Sequence, residues 1–379
     1  MRLIVLKGSS DNNVLREFAD STAEGLVQCG NSVDLVDLIG EDPLTKFNSL
    51  INQDSVDGIV SFNGILGDVI PAEFRIPFLV WLVDSPHYHF KRIVNNKGQR
   101  HTLCPSNHHL NFIKQAKVNT SSSVMLAGAR NYKNKLKDQC DRKHTLLVAA
   151  SWMGEPQKFW ESLPNEIAKK VSINAVEILD SDPMVDVFAA LRKAAEIAGI
   201  KFEFNDSWMY LATEVQSFIR KKDRLEHVKA LAQTGIPLTI VGNGWEQVLD
   251  GRKNISFVNS INNDQITDYY ADAKIVLNLN ASNGACERLF DAMVTGACVI
   301  SDESSTLRQY FKDGKDLRFF DRRKRSSLVN SVEYVLNNNK FINMSARAKD
   351  IVIKEHMWIN RANAISEIFK KINQKKDHS

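Results

Sequence analysis

The chain of 379 residues has no apolar run long enough to cross a membrane. Its longest, IPFLVWLV (Ile76 to Val83), falls far short of the roughly 20 residues a spanning helix needs. The opening MRLIVLKGSS has too short an apolar stretch for a signal peptide, and Lys7 interrupts it. Cysteine is scarce. Cys29, Cys104, Cys140, Cys286 and Cys298 are odd in number and scattered, with no CxxC spacing. That excludes a disulfide scaffold and a structural zinc site, and fits a reducing compartment. Net charge is also small, at +4, which gives no reason to expect a nucleic-acid partner. No repeat of fixed period is present. Together these absences predict a cytoplasmic protein. The basic C-terminal end (Lys370, Lys371, Lys375, Lys376) leaves room for a weak peripheral contact at the inner membrane face. A solvated, frayed terminus is the more ordinary meaning of such a run.

What is present is a globular composition, 43% hydrophobic and 25% charged, on a chain too long for one ordinary core. Short apolar runs alternate with helical spacing. RLIVLK (Arg2 to Lys7), SVDLVDL (Ser32 to Leu38), GIVSF (Gly58 to Phe62), FLVWLVD (Phe78 to Asp84), HTLCPS (His101 to Ser106) and SSVMLA (Ser122 to Ala127) read as strands. The polar stretch Arg130 to His144 reads as an interdomain linker, and the pattern restarts at TLLVAAS (Thr145 to Ser151). A long, mostly helical segment covers about Val185 to Ala232. PLTIVGNG (Pro237 to Gly244), ISFVN (Ile255 to Asn259), KIVLNLN (Lys274 to Asn280) and ACVIS (Ala297 to Ser301) follow as strands, with helices near Ser326 to Asn337 and Asn343 to Ile372. Strands this apolar, separated by helices, predict an α/β protein with two facing Rossmann-like domains and parallel sheets. The expected boundaries are 1–140, 141–356 and a C-terminal helix over 357–379. Trp358, Ala362, Ile365 and Phe369 form one apolar stripe on that helix, which is predicted to cross back and pack on the N-domain.

The segment NGACERLFDAMVTGACVISD (Asn283 to Asp302) carries the chemistry. It follows a buried strand, so the helix opening at Cys286 or Glu287 lies at the ligand-binding edge of the sheet. Backbone N–H groups at such a start favour an anion such as a diphosphate. Arg288 in the first turn opposes the helix dipole, which makes more sense if a phosphate shares the site. Glu287 and Asp291 lie four apart on one face, where a carboxylate can accept both hydroxyls of a ribose. An ordinary surface helix would give them only a dipole partner and a solvated acid. Elsewhere, Asp84, His87 and His89 end a central strand and could supply a base or hold an acceptor. The H-x-H has no apparent third metal ligand. DSD (Asp180 to Asp182) is explained without metal by Asp182 as N-cap and Pro183 at the first helical position. DRRKR (Asp321 to Arg325) reads as a solvated turn.

With these residues in place, the segment resembles the signature of the CgeB-like branch of group-1 glycosyltransferases with the GT-B fold. The likeness takes in IVGNGWEQ (Ile240 to Gln247), YYADAKIVLNLN (Tyr269 to Asn280) and HMWINRANAISEIF (His356 to Phe369), roughly Glu214 to Phe369 in all. WLVDSP (Trp81 to Pro86) is similar to a strand of that branch. The resemblance implies transfer of a sugar from a nucleoside diphosphate sugar to a hydroxyl of a glycan, protein or lipid, with no metal and no further cofactor. It places Asp291 at the ribose-binding carboxylate and Asn283 at the position of a first acid, which is absent here. It puts Gly242 and Gly244 near the nucleotide, Val258 in the loop beneath the base, Arg224 (with Arg220 and Lys221, at the start of a helix) and Arg288 toward the diphosphate, and Gly8 and Ser9 over the sugar phosphate. Cys286 stands where a His is expected and is assigned no chemistry. The missing acid motivates an alternative, a catalytically silent sugar-nucleotide-binding protein. A sugar-nucleotide epimerase on the same fold is a third reading.

Overall fold

The computed structural model describes residues 1–10, 13–52, 55–67, 74–96, 98–280, 286–337 and 339–376. The chain divides into two compact units, one of residues 1–130 and 354–379, the other of residues 131–353.

In the first unit, β1 (Arg2–Lys7), α1 (Val14–Gln28), β2 (Ser32–Asp37), α2 (Pro43–Ile51), β3 (Gly58–Phe62), β4 (Phe78–Trp81), α3 (Phe90–Asn95), β5 (Gln99–Cys104), α4 (Asn107–Gln115) and β6 (Ser121–Val124) follow one another. The strands make one parallel sheet in the order β2-β1-β3-β4-β5-β6. Leu3 to Leu6, Ile59, Val60 and Phe78 to Leu82 are almost wholly buried, as strands covered on both faces must be. The order reverses between β1 and β3, so the loops after these two strands form the crevice where such sheets take ligands.

The second unit runs β7 (His144–Ala149), α5 (Glu166–Ser181), α6 (Val187–Ile197), α7 (Asp206–Ala232), β8 (Leu238–Val241), α8 (Glu246–Leu249), β9 (Ile255–Val258), α9 (Asn263–Ala271), β10 (Ala273–Asn278), α10 (Glu287–Val294), β11 (Cys298–Asp302), β12 (Arg318–Phe320), α11 (Arg325–Asn337) and α12 (Lys340–Glu355). Its parallel sheet has the order β12-β11-β10-β7-β8-β9, reversing between β7 and β10. The fold class read from the apolar runs is therefore the one observed.

The last helix, α13 (Trp358–Lys376), lies in the first unit. Its stripe is the reason: Trp358, Ala362, Ile365 and Phe369 are buried, and Trp358 packs edge-on against Phe18 and tilted against Trp81. Glycines admit it. A Cβ on Gly25 would sit 2.8 Å from Ala362 Cβ, one on Gly128 2.9 Å from Trp358 Cα, and one on Gly58 inside the ring of Phe369. The chain enters α13 through a parallel bridge between Ala129 and Met357, with Ala129 N donating to His356 O at 2.7 Å.

Four expectations need correction. The helix predicted over Asn343 to Ile372 is two helices, α12 and α13, because that bridge takes 356–357 out of helical geometry. The polar stretch Arg130 to His144, expected to link the domains with a boundary at 140, belongs to the second unit from Asn131 on, where Arg142 is buried and donates to Ala273 O (2.9 Å) and Thr295 O (2.7 Å). Asp182 caps no helix start. It ends α5, accepts from Met184 N, and leaves Asp186 to cap α6 by accepting from Phe188 N and Ala189 N. DRRKR is only partly solvated, since Arg322 is buried and donates to Asp223 Oδ2 at 2.8 Å and to Leu179 O. Among the described residues, no helix is long and apolar enough to cross a membrane.

Candidate functional site

In the second unit the switch point between β7 and β10 gathers most of the predicted residues. Gly242 follows β8 at φ 155°, and a Cβ there would meet Ser151 N at 2.6 Å. This glycine is required by the backbone leaving β7. Gly244, at φ 86°, completes the turn. The turn ties three strand ends together: Trp245 Nε1 donates to Ala150 O (2.7 Å), Trp152 N to Asn243 O (2.9 Å), Gly242 N to Val258 O (2.9 Å) and Ser260 N to Asn243 Oδ1 (2.8 Å). Val258 thus closes the loop beneath this edge.

Helix α10 starts at Glu287, with Cys286 in extended geometry at its N-cap. The Cys286 thiol donates to Asn278 Oδ1 at 3.1 Å, and burial pushes its pKa up to about 11, so it is no nucleophile. Arg288 bonds the Tyr270 hydroxyl. Burial works against its charge, but Cys286, Tyr270 and Glu287 together outweigh burial and hold its pKa above the ordinary value. Asp291 is 1% exposed and faces inward, so it is not the solvated acid of an ordinary surface helix. Glu287 stays half-buried at the helix mouth. Asn283 lies outside the described residues.

Arg220 and Arg224 do not begin a helix, as the sequence suggested. They lie one turn apart within the 27-residue α7. Arg224 donates from Nη1 to Ser151 O at 3.0 Å, while its Nε is buried without a hydrogen bond. Burial first, then Arg288 and Arg220, push its pKa down to about 9. Arg224 is therefore held close enough to Arg288 and to Arg220 to be repelled by both, an arrangement that an anion relieves. Asp302, at the end of β11, and His227, a turn beyond Arg224, line a small pocket together with Arg220 and Arg224. No local pattern marks them, because they meet only through the sheet order.

In the first unit, Gly8 is buried against Ile65, and Ser9 is exposed beside it. Asp84 is exposed after β4. Asn63 holds it there: its Nδ2 donates to Asp84 Oδ2 (2.8 Å), and its Oδ1 accepts from Val83 N and Asp84 N. The Asn63-Gly64 pair after β3 was the available signal for this clamp. His89 Nε2 stands 3.6 Å from Asp84 Oδ2. His87 is 4% exposed, with Nδ1 3.0 Å from Ser85 Oγ. No cluster of three or more metal-binding side chains occurs among the described residues.

Residues 220–367, under half of the chain, match a family model described as glycosyl transferase-like. No curated protein matches the chain in sequence. Among solved structures, sucrose-phosphate synthase from Thermosynechococcus elongatus aligns over 99% of this chain and 99% of its own, at 11% identity and a TM-score of 0.58. Anabaena HepE, solved with UDP and glucose, aligns over 98% and 100% at 14% identity and a TM-score of 0.56. WaaG, a glycosyltransferase involved in lipopolysaccharide biosynthesis, aligns over 97% and 99% at 11% identity and a TM-score of 0.54. The architecture shared with these structures is the GT-B fold.

Proposed function

We propose that this chain is a glycosyltransferase that moves a sugar from a nucleoside diphosphate sugar to an acceptor hydroxyl, without a metal. The observation that carries the reading is the convergence of Arg220, Arg224 and Arg288 at the switch point of the second sheet. The glycosyl transferase-like match begins at Arg220 and spans all three arginines, and the CgeB-like resemblance is the finer form of the same reading. HepE was solved with UDP and glucose, which supports a nucleotide sugar as the ligand.

In this reaction the acceptor oxygen bonds to the anomeric carbon while the bond from that carbon to the diphosphate breaks. The electron pair leaves with the diphosphate, and the acceptor proton passes to a base. Arg288, Arg224 and the N–H groups opening α10 stabilise the charge growing on the leaving group. Asp291 is assigned to the ribose, and Gly242, Gly244 and Val258 to the nucleoside. The Asp84–His89 pair, with Gly8 and Ser9, is assigned to the acceptor side, where His89 takes the proton.

A panel of nucleoside diphosphate sugars screened by thermal shift, followed by product analysis, tests this. Arg288→Ala should weaken donor binding or turnover by about 1.5–3 kcal/mol, the worth of one charge-assisted contact. Wild-type turnover and affinity in a folded Arg288→Ala protein would refute the phosphate role. Affinity with no transfer or hydrolysis would instead identify a silent binder, and conversion of donor without acceptor an epimerase.

A further inference from the structure

Asn63 follows β3 in the first unit and bonds the segment after β4 that carries Asp84 and His89. It is 1% exposed and held at φ 52°, the left-handed region that few residues other than glycine, asparagine and aspartate enter. Backbone of this kind collects at functional sites.

The Asn63 amide does two separate things. Its Oδ1 accepts from Val83 N (2.8 Å) and Asp84 N (3.1 Å), which fixes the backbone leaving β4. Its Nδ2 donates to Asp84 Oδ2 (2.8 Å), which fixes the carboxylate itself. The first role is structural. The second is not required for folding, because the Asp84 side chain is 55% exposed and water serves a carboxylate so placed. The same oxygen, Oδ2, stands 3.6 Å from His89 Nε2, and that nitrogen is buried with no hydrogen bond among the described residues. A separation of 3.6 Å is too long for a hydrogen bond, but catalytic contacts are often this long before substrate binds and tighten afterwards.

We infer that Asn63 is a positioning residue for proton transfer, holding Asp84 Oδ2 toward His89 Nε2 and so setting which ring nitrogen carries the hydrogen. The inference rests on the assignment of Asp84 and His89 to the acceptor side in the proposed reaction. A neutral imidazole has one N–H and one lone pair. With the carboxylate at Nε2 the N–H lies there, and the lone pair is on Nδ1. As the acceptor oxygen bonds to the anomeric carbon, its proton passes to Nδ1 and is later released to water. The imidazolium formed in between is stabilised by Asp84, which stays ionised. Asn63 itself touches no reacting atom.

Substitution separates the two roles. Asn63→Asp keeps an oxygen for Val83 N and Asp84 N and tolerates the same φ, but it has no N–H for the Asp84 carboxylate and repels it. The assay is steady-state hydrolysis by the full chain of UDP-glucose, UDP-N-acetylglucosamine, UDP-galactose, GDP-mannose, ADP-glucose, CDP-glucose and dTDP-glucose, continued with the donor that the wild type turns over. Asn63→Asp should lower kcat about ten- to hundredfold, the worth of a hydrogen bond to a charged group, with donor KM kept within about twofold. Asn63→Asp added to Asp84→Asn should cost no more than about twofold beyond Asp84→Asn alone, because Asn63 acts through that carboxylate. Circular dichroism identifies a variant that fails to fold; the Asn63→Asp, Asp84→Asn pair, which exchanges donor and acceptor, then decides by itself. Wild-type kcat in a folded Asn63→Asp protein overturns the inference, as does a further tenfold loss in the double variant. Wild-type kcat in His89→Gln overturns the assignment beneath it. Wild-type protein that turns over none of these donors overturns the transfer reading, and the inference with it.

Discussion

Gly58→Ala, Phe369→Ala and their combination test how α13 is held in the first unit. Gly58 opens β3, where its backbone is extended, so alanine adds no backbone strain there. The added methyl meets the Phe369 ring, with Cζ at 2.8 Å and Cδ1 and Cε1 closer still. Phe369 is fully buried and cannot step aside. Overpacking of this kind costs about 1–3 kcal/mol. Phe369→Ala removes the ring and leaves a cavity, at about 3–5 kcal/mol. In the double variant the new methyl enters the space the ring left, so the two effects should fall short of additivity by about 1–3 kcal/mol. In a domain of 150 to 250 residues each kcal/mol moves Tm by about 2–4 °C. Because the chain has two units, a single melt is ambiguous. The assay is amide exchange in β1 and β3, alongside fluorescence of Trp81 and Trp358, which both lie in the first unit. Strict additivity, or a Gly58→Ala protein with unchanged exchange, would refute the packing argument.

Arg322→Met should destabilise the second unit by about 3–5 kcal/mol by stranding Asp223, and Asp223→Leu in the same chain should restore most of the loss; denaturant titration decides this. His356 is 2% exposed, and burial, followed by Arg361, pushes its pKa down to about 3. Its folded pKa lies below the unfolded value of about 6.5, so its contribution is present above pH 6.5 and lost as pH falls toward 3. His356→Gln should flatten the acid side of the first unit's stability profile, and an identical profile would exclude this histidine as a cause. Gly242→Ala should lower the melting temperature of the second unit through both φ and the approach of Ser151 N, whereas Gly314→Ala, at positive φ with open space, should cost less. EDTA should leave transfer unchanged; activity lost to chelator and restored by manganese would reopen the role of Asp180 and Asp182.

The local sequence by itself determined where the buried strands lie, because burial on both faces demands unbroken apolar runs such as RLIVLK and KIVLNLN, but it did not show the break between α12 and α13 or the start of α7. It also determined that α13 needs a partner, since four apolar residues recur on one face of that helix. The helix start at Glu287 was legible for the same reason, as a polar break between two buried strands. What the sequence left open depends on contacts between distant segments. Arg322 sits in a charged run that looks solvated, and its burial follows only from Asp223 and the Leu179 carbonyl, 99 and 143 residues away. Asn63 and Asp84 become a pair because β3 and β4 are neighbours. Asp302, His227 and Arg224 share a pocket only because β10, β11 and β12 end together beside α7. Local periodicity encodes how a segment hides its apolar face. Which polar groups then meet is decided by strand order, which no single segment carries.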